Sequence, residues 1–323
     1  MSAPRGWARA LRLAAPLGVS AALLWVLRSF TSDEAAAAAW SRARPELVLG
    51  AAALFLLGLL LNGLPWRRLV AGEGPLLPIG RVFSLDLSSM FWGTVLPGSL
   101  GGELIKGARL SRGLPDLPRV GLALLCARLI GAAAAATVAL PGLLWTALPT
   151  DGARGVLLVL LAMISVVLVV LIGMNRGLDA LLRRSAWLAA RWPAAEPPRP
   201  TALIQAYAMA LPAHACFAAC YALSAAAVGV PLGPADAGWT YVLASLAMVP
   251  PVTFAGLGAR ELSVAAAVEA VTGAGGGAMA ALGVSAVHLG ITALAGILEL
   301  GRALRPATSA APPPPRSPPP PGG

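Results

Sequence analysis

In a chain of 323 residues, 58% are hydrophobic and only 12% are charged, and the mean hydropathy is +0.77. Soluble domains carry about 25% charged residues, so this chain has too few solvated side chains to coat a globular surface, which excludes a cytosolic enzyme. Several apolar segments are long enough to cross a hydrocarbon core of about 30 Å, and the formal net charge of +10 does not call for nucleic acid, because the basic residues lie between those segments rather than in one patch with interleaved aromatics.

Residues 1–10 form a basic N-terminus, and the first spanning segment is 11–30. No small-x-small cleavage pattern precedes Asp33-Glu34, so this segment reads as a retained membrane helix and not a leader. The second span is 46–64, where Asn62-Gly63 and Pro65-Trp66 read as a helix end with an interfacial aromatic anchor. An apolar stretch at 82–112, broken at its centre by Pro and Gly, leads to a third span at 120–148 and a fourth at 155–174. The linker 175–201 reads as a cytoplasmic surface helix ending in a Pro-rich bend. A fifth span at 202–229, a second broken stretch at 239–273 and a sixth span at 278–300 complete the membrane part, and the Pro-rich tail 306–323 is compositionally disordered. Cys126, Cys216 and Cys220 all fall inside apolar segments and read as small apolar fillers, not as a disulfide framework.

Cytoplasmic loops collect Lys and Arg. Arg5, Arg9 and Arg12 mark the N-terminus, and Arg67, Arg68 and Arg81 mark the loop 65–81. Lys106, Arg109, Arg112 and Arg119 mark 104–119, Arg176, Arg183, Arg184, Arg191 and Arg199 mark the linker, and Arg302, Arg305 and Arg316 mark the tail. Both termini are therefore expected inside, with Arg42, Arg44 and Arg154 outside. Because 65–81 and 104–119 share a side, the stretch between them must enter the membrane and return, and the same reasoning makes 239–273 dip from the opposite face. The expected fold is an all-α polytopic membrane protein with six spanning helices and two re-entrant hairpins in an inverted-topology repeat. The first repeat is 11–148, with the inner hairpin 82–112. The second begins at 149–174 and continues over 202–305, with the outer hairpin 239–273.

The break Pro97-Gly98-Ser99-Leu100-Gly101-Gly102-Glu103 is echoed by Pro251-Val252-Thr253-Phe254-Ala255-Gly256-Leu257-Gly258-Ala259-Arg260-Glu261. Both run proline, hydroxyl residue, two glycines, acid. Broken backbone at membrane depth is tolerated only where protein or a wet cavity satisfies its N–H and C=O groups. A helix restarting near Gly102 or Ala259 would offer free N–H donors to an anion. Asp86, Glu103, Arg128, Arg260 and Glu261 are costly in hydrocarbon unless they pair or face water. We expect Glu103, Arg128, Arg260 and Glu261 to compensate one another around a polar path, while Asp86 also reads as a cap at a hairpin start. His214 and His288 stand singly in apolar helices.

No HExxH, P-loop or strand-borne GxGxxG is present, and Ser99 misses the first glycine of a nucleophile elbow. No catalytic residue, cofactor or metal site is therefore assigned.

The run Leu96 to Glu103, followed by Lys106 and by Arg128-Leu129-Ile130-Gly131, resembles the integral-membrane domain of the lysylphosphatidylglycerol synthetase/flippase family, also described as flippase-like or UPF0104 membrane proteins. Ala255-Gly256-Leu257-Gly258-Ala259-Arg260-Glu261 is similar to that family's later signature, and the likeness covers residues 11–302. Ala127 stands where many relatives carry an acid, and Ala255 replaces a glycine. No soluble synthetase domain is expected in this sequence, so what the resemblance implies is the translocating half: a lipid flippase of the bacterial cytoplasmic membrane and not an aminoacyl-transfer enzyme. The alternative is an intramembrane enzyme, or an enzyme's partner, in lipid or glycolipid modification. The site residues on this reading are Pro97, Gly98, Gly101, Gly102, Glu103, Lys106, Arg128, Gly256, Gly258, Arg260 and Glu261. The expected partners are a membrane phospholipid or glycolipid, a second copy of the chain and a separate lipid-modifying enzyme.

Overall fold

The computed structural model describes residues 21–26, 28, 33–72, 74–95, 101–111, 117–147, 198–248, 253, 256–273 and 275–304. The expected span 155–174, the linker up to 197, the tail, and Pro97 and Gly98 lie outside the described residues, as does most of 11–30.

Among the described residues the structure is helical: α1 (Asp33–Ser41), α2 (Pro45–Ala71), α3 (Ile79–Val95), α4 (Gly101–Ser111), α5 (Leu117–Ala147), α6 (Pro200–Ala227), α7 (Pro234–Ala247), α8 (Ala259–Thr272) and α9 (Gly277–Ala303). Four of these regions are long and apolar enough to cross a membrane: Pro45–Ala71, Val120–Gly142, Pro200–Ala227 and Gly277–Ala303. They coincide with the expected spans beginning at 46, 120, 202 and 278.

Local chemistry sets several ends. Pro45 and Pro200 occupy first-turn positions of α2 and α6, where a missing N–H costs nothing, and Gly72 closes α2 at φ 55°. One boundary differs from the sequence reading. Helix α2 does not end at Asn62-Gly63 but runs on through Pro65 to Ala71, because packing holds the extra turns that proline alone would discourage. Gly63 allows the contact: a Cβ there would lie 2.4 Å from Val82 Cγ1 and 2.7 Å from Asp86 Oδ2. Trp66 is accordingly buried, 2% exposed, and is not an interfacial anchor.

Helices α2 and α6 form an antiparallel pair. The backbone N–H of Arg44 donates to Ala227 O at 3.0 Å, Gly50 faces Leu223 and Gly58 faces Phe217, and Arg68 Nε donates to Gln205 Oε1 at 3.2 Å. Rising numbers on one helix meet falling numbers on the other. The remaining packing is symmetric under exchange of α2 with α6, α3 with α7, α4 with α8 and α5 with α9: every substantial helix pair has its counterpart. Thus α3 packs on α9 as α7 packs on α5, and both contacts are antiparallel. Arg302 bonds Ser84 and Phe91 meets Gly296 in the first. Gly142 meets Ala235, and Gly238 meets Val138, in the second. The core is built largely from alanines such as Ala134, Ala206, Ala210, Ala213 and Ala225, each 0% exposed. Small side chains let membrane helices approach closely, where van der Waals contact replaces the missing hydrophobic drive.

Candidate functional site

Helices α3 and α4 fold back on each other across the break at 96–100. The fold is tight because residue 102 is glycine: a Cβ there would lie 2.0 Å from Ser89 O, inside any van der Waals limit. With the limbs in contact, Asp86 on α3 faces Lys106 on α4. The Lys106 ammonium lies 2.9 Å from Asp86 Oδ1 and 3.1 Å from Glu103 Oε1, and stands 5.6 Å from the centre of the Trp66 ring. Trp66 Nε1 donates to both Asp86 oxygens at 3.1 Å. Asp86 is buried in the middle of α3, so it is not the hairpin-start cap that the sequence allowed. Burial of this kind is tolerable only because each charge has a partner and the carboxylate has further donors.

A cavity of about 300 Å³ opens beside this cluster. Glu103, Lys106 and Gly102 line it from α4, Asp86, Ser89 and Thr94 from α3, and Asn62 from α2. Arg128 lines it from α5, Ser245 and Met248 from the α7 end, and His288 from α9. Both halves of the pseudo-symmetric arrangement therefore contribute. Arg128 sits within the spanning part of α5, is exposed, lines this space, and makes no ion pair or hydrogen bond with the described residues. Asn62, Ser89, Thr94 and Ser245 add uncharged hydrogen-bonding groups, while the His288 ring stands edge-on to Phe55 at 5.1 Å.

The second break has a different structure. Helix α8 restarts at Ala259, as the sequence indicated, but its own carboxylate fills its N-terminus. Glu261 accepts from the Gly258 N–H at 2.7 Å, from Arg260 Nε at 3.0 Å and Nη2 at 2.5 Å, and from Ser285 Oγ at 2.6 Å. Gly258, at φ 84°, adopts the left-handed backbone that glycine reaches without strain. The anion cradle expected at this restart is thus already satisfied from within. Arg260 and Glu261, 3% and 2% exposed, together with Gly256 and Gly258, lie outside the cavity lining.

The four-way compensation expected among Glu103, Arg128, Arg260 and Glu261 is therefore replaced by two local clusters. Glu103 pairs with Lys106 three residues on, and Glu261 with the adjacent Arg260, because a neighbour on the same helix end is reached without any tertiary rearrangement. Arg128 is left to the cavity. Gly101, Gly102, Glu103 and Lys106 share the α4 limb, and of these Gly102, Glu103 and Lys106 line the cavity together with Arg128.

A third charged centre escaped the sequence reading. Glu299 on α9 accepts from Arg109 Nη1 at 3.0 Å and Nη2 at 2.6 Å, from Trp92 Nε1 at 2.9 Å and from Arg302 Nη1 at 2.5 Å. Arg109 Nη1 also donates to Ser88 Oγ, and Arg302 to Ser84 Oγ. This bidentate arginine–carboxylate pair ties the first hairpin to the last helix of the second half. The acid Glu269 has a structural role, accepting from the N–H groups of Gly275 and Gly277 at 3.0 and 2.8 Å in the α8–α9 turn. Cys126, Cys216 and Cys220 are free thiols, and no group of His, Cys, Asp and Glu able to hold a metal ion occurs among the described residues.

An all-helical, multi-pass membrane protein with a charged cavity beside a folded-back helical hairpin is the class that these observations define. The chain belongs to the family described as the lysylphosphatidylglycerol synthase TM region, whose model matches residues 13–296. This agrees with the family indicated by the two glycine–acid motifs. No curated protein matches the chain.

Proposed function

We propose that this protein moves a lipid with a polar head group between the leaflets of the bacterial cytoplasmic membrane, with both termini on the cytoplasmic side. The cavity beside α4 takes the head group, and the acyl chains stay in the bilayer. The observation that carries this reading is the Arg128 guanidinium within a spanning helix, without a partner among the described residues and lining a space shared with Glu103 and Lys106. An unpaired charge at membrane depth costs several kcal/mol unless water or a ligand meets it, and family membership supports a lipid as that ligand.

In this proposal the hairpins are re-entrant. Helix α3, with 17 residues, reaches about 25 Å and α4, with 11, about 16 Å, both short of a core of about 30 Å. The antiparallel pairing of α2 with α6 supports halves that cross in opposite senses, so that one half rocking against the other alternates access to the cavity.

Purified protein in vesicles containing a tail-labelled phospholipid tests the reading. Exchange between leaflets above protein-free vesicles is expected, with its loss in the Glu103→Gln/Arg128→Gln double variant. Unchanged exchange in that variant refutes the site. A new lipid product by mass spectrometry, without exchange, replaces transport by enzymatic modification. For the topology, single cysteines at Gly74 and Ser111 in a cysteine-free background are expected to react with an impermeant thiol reagent from one side. Labelling from opposite sides removes the inner re-entrant hairpin.

A further inference from the structure

The charges left open in the cavity define the head group that suits it, an inference that rests on the translocation reading. The Lys106 ammonium is consumed within the protein, held by Asp86 at 2.9 Å and by Glu103 at 3.1 Å. Two carboxylates sharing one ammonium leave a formal surplus of one negative charge. That surplus is presented at Glu103, whose side chain is 32% exposed against 2% for Asp86 and 6% for Lys106. Asp86 is further closed off by Trp66 Nε1. The other open charge is Arg128, with no partner among the described residues. One cation and one net anion therefore face the same space.

We infer that the substrate is a zwitterionic phospholipid whose head group carries one phosphodiester and one amine, the phosphate meeting Arg128 and the ammonium meeting Glu103. A guanidinium suits phosphate because its planar fork donates two parallel hydrogen bonds. A carboxylate already half-neutralised by Lys106 suits a single ammonium. A glycerol phosphodiester meets Arg128 but leaves the Glu103 surplus desolvated and unmatched. A lysine-capped glycerol phosphodiester brings two ammonium groups to a site with one net negative charge to offer. A sugar head group without phosphate leaves Arg128 unmet. Leaving one partner of a charged contact unpaired in a desolvated site carries a heavy penalty, so matching both charges outweighs the uncharged contacts that Asn62, Ser89, Thr94 and Ser245 offer to any head group.

Four tail-labelled tracers are compared in vesicles holding the purified full-length protein: aminoethyl, glycerol and lysyl-glycerol phosphodiesters, and a glycosyl diacylglycerol. Binding of the same four to delipidated protein is measured by native mass spectrometry. The aminoethyl tracer is expected to exceed the glycerol tracer about tenfold in both, since its ammonium adds a charge-assisted hydrogen bond to Glu103. Glu103→Gln should bring that ratio near one, and Arg128→Gln should weaken both phosphodiesters while keeping the ratio. Equal binding of aminoethyl and glycerol tracers, preference for the lysyl-glycerol or glycosyl tracer, or a ratio untouched by Glu103→Gln overturns the inference. Selective binding without exchange of any tracer upholds the head-group assignment and overturns transport instead.

Discussion

Replacing Glu261 by Gln tests whether the second break is held by electrostatics. Glu261 is 2% exposed and Arg260 3%. Apart from this carboxylate, the guanidinium has only Ser285 Oγ among the described residues, at 3.2 Å. The amide of Gln keeps one acceptor oxygen for the Gly258 N–H and can turn its NH2 toward Ser285 Oγ, which then accepts, so the main change is the loss of the charge that faces Arg260. Hydrogen bonding alone is worth about 1 kcal/mol per bond. An uncompensated buried charge costs about 3–5 kcal/mol, and that term decides the outcome against a total stability of roughly 5–15 kcal/mol. Chemical unfolding in mixed micelles should show Glu261→Gln destabilised by about 3–5 kcal/mol. Adding Arg260→Met removes the stranded cation, and the double variant should regain at least about half of that loss, because removing both partners of a buried pair costs far less than removing one. A single variant within about 1 kcal/mol of the parent, or a double variant no more stable than the single, refutes the reasoning.

Three further substitutions probe the first hairpin and its tether. Gly102→Ala places a methyl group 2.0 Å from Ser89 O; separating the limbs should cost about 1–3 kcal/mol, read as a lowered unfolding midpoint with loss of leaflet exchange. Trp66→Phe keeps an aromatic face near Lys106 but removes the donor shared by both Asp86 oxygens, so unfolding in micelles should show a loss of about 1.5–3 kcal/mol. Glu299→Gln releases Arg109 and Arg302, whose side chains are 30% and 39% exposed. Solvent takes up much of that charge, and a loss of about 1–2 kcal/mol is expected, with easier disulfide trapping of α3 away from α9 as the structural readout.

Much of the site was legible through one local feature. Once α4 folds back on α3, the helices on either side of the break meet, Gly102 against Ser89 and Lys106 against Asp86. Treating Asp86 as a cap hid its contact with Lys106. Glu103 with Lys106, and Arg260 with Glu261, pair within one helix end and needed only the restart positions. Trp66 was misread because Pro65 is an ordinary stop signal in isolation, while the Gly63 contact that keeps α2 helical past it belongs to another helix. Nothing in the local pattern joins Arg109 to Glu299, 190 positions away.

Hydropathy and backbone punctuation act over a few residues, and the sequence by itself therefore determined a membrane protein, the positions of four spanning helices, the two breaks and the helices that restart after them. The pairing of charges depends on distances between helices, which are set by where glycines and alanines let backbones approach. Only the tertiary structure decided that Lys106 is already claimed, that Glu261 fills its own helix end, and that Arg128 and Glu103 share one cavity, the guanidinium without a partner among the described residues.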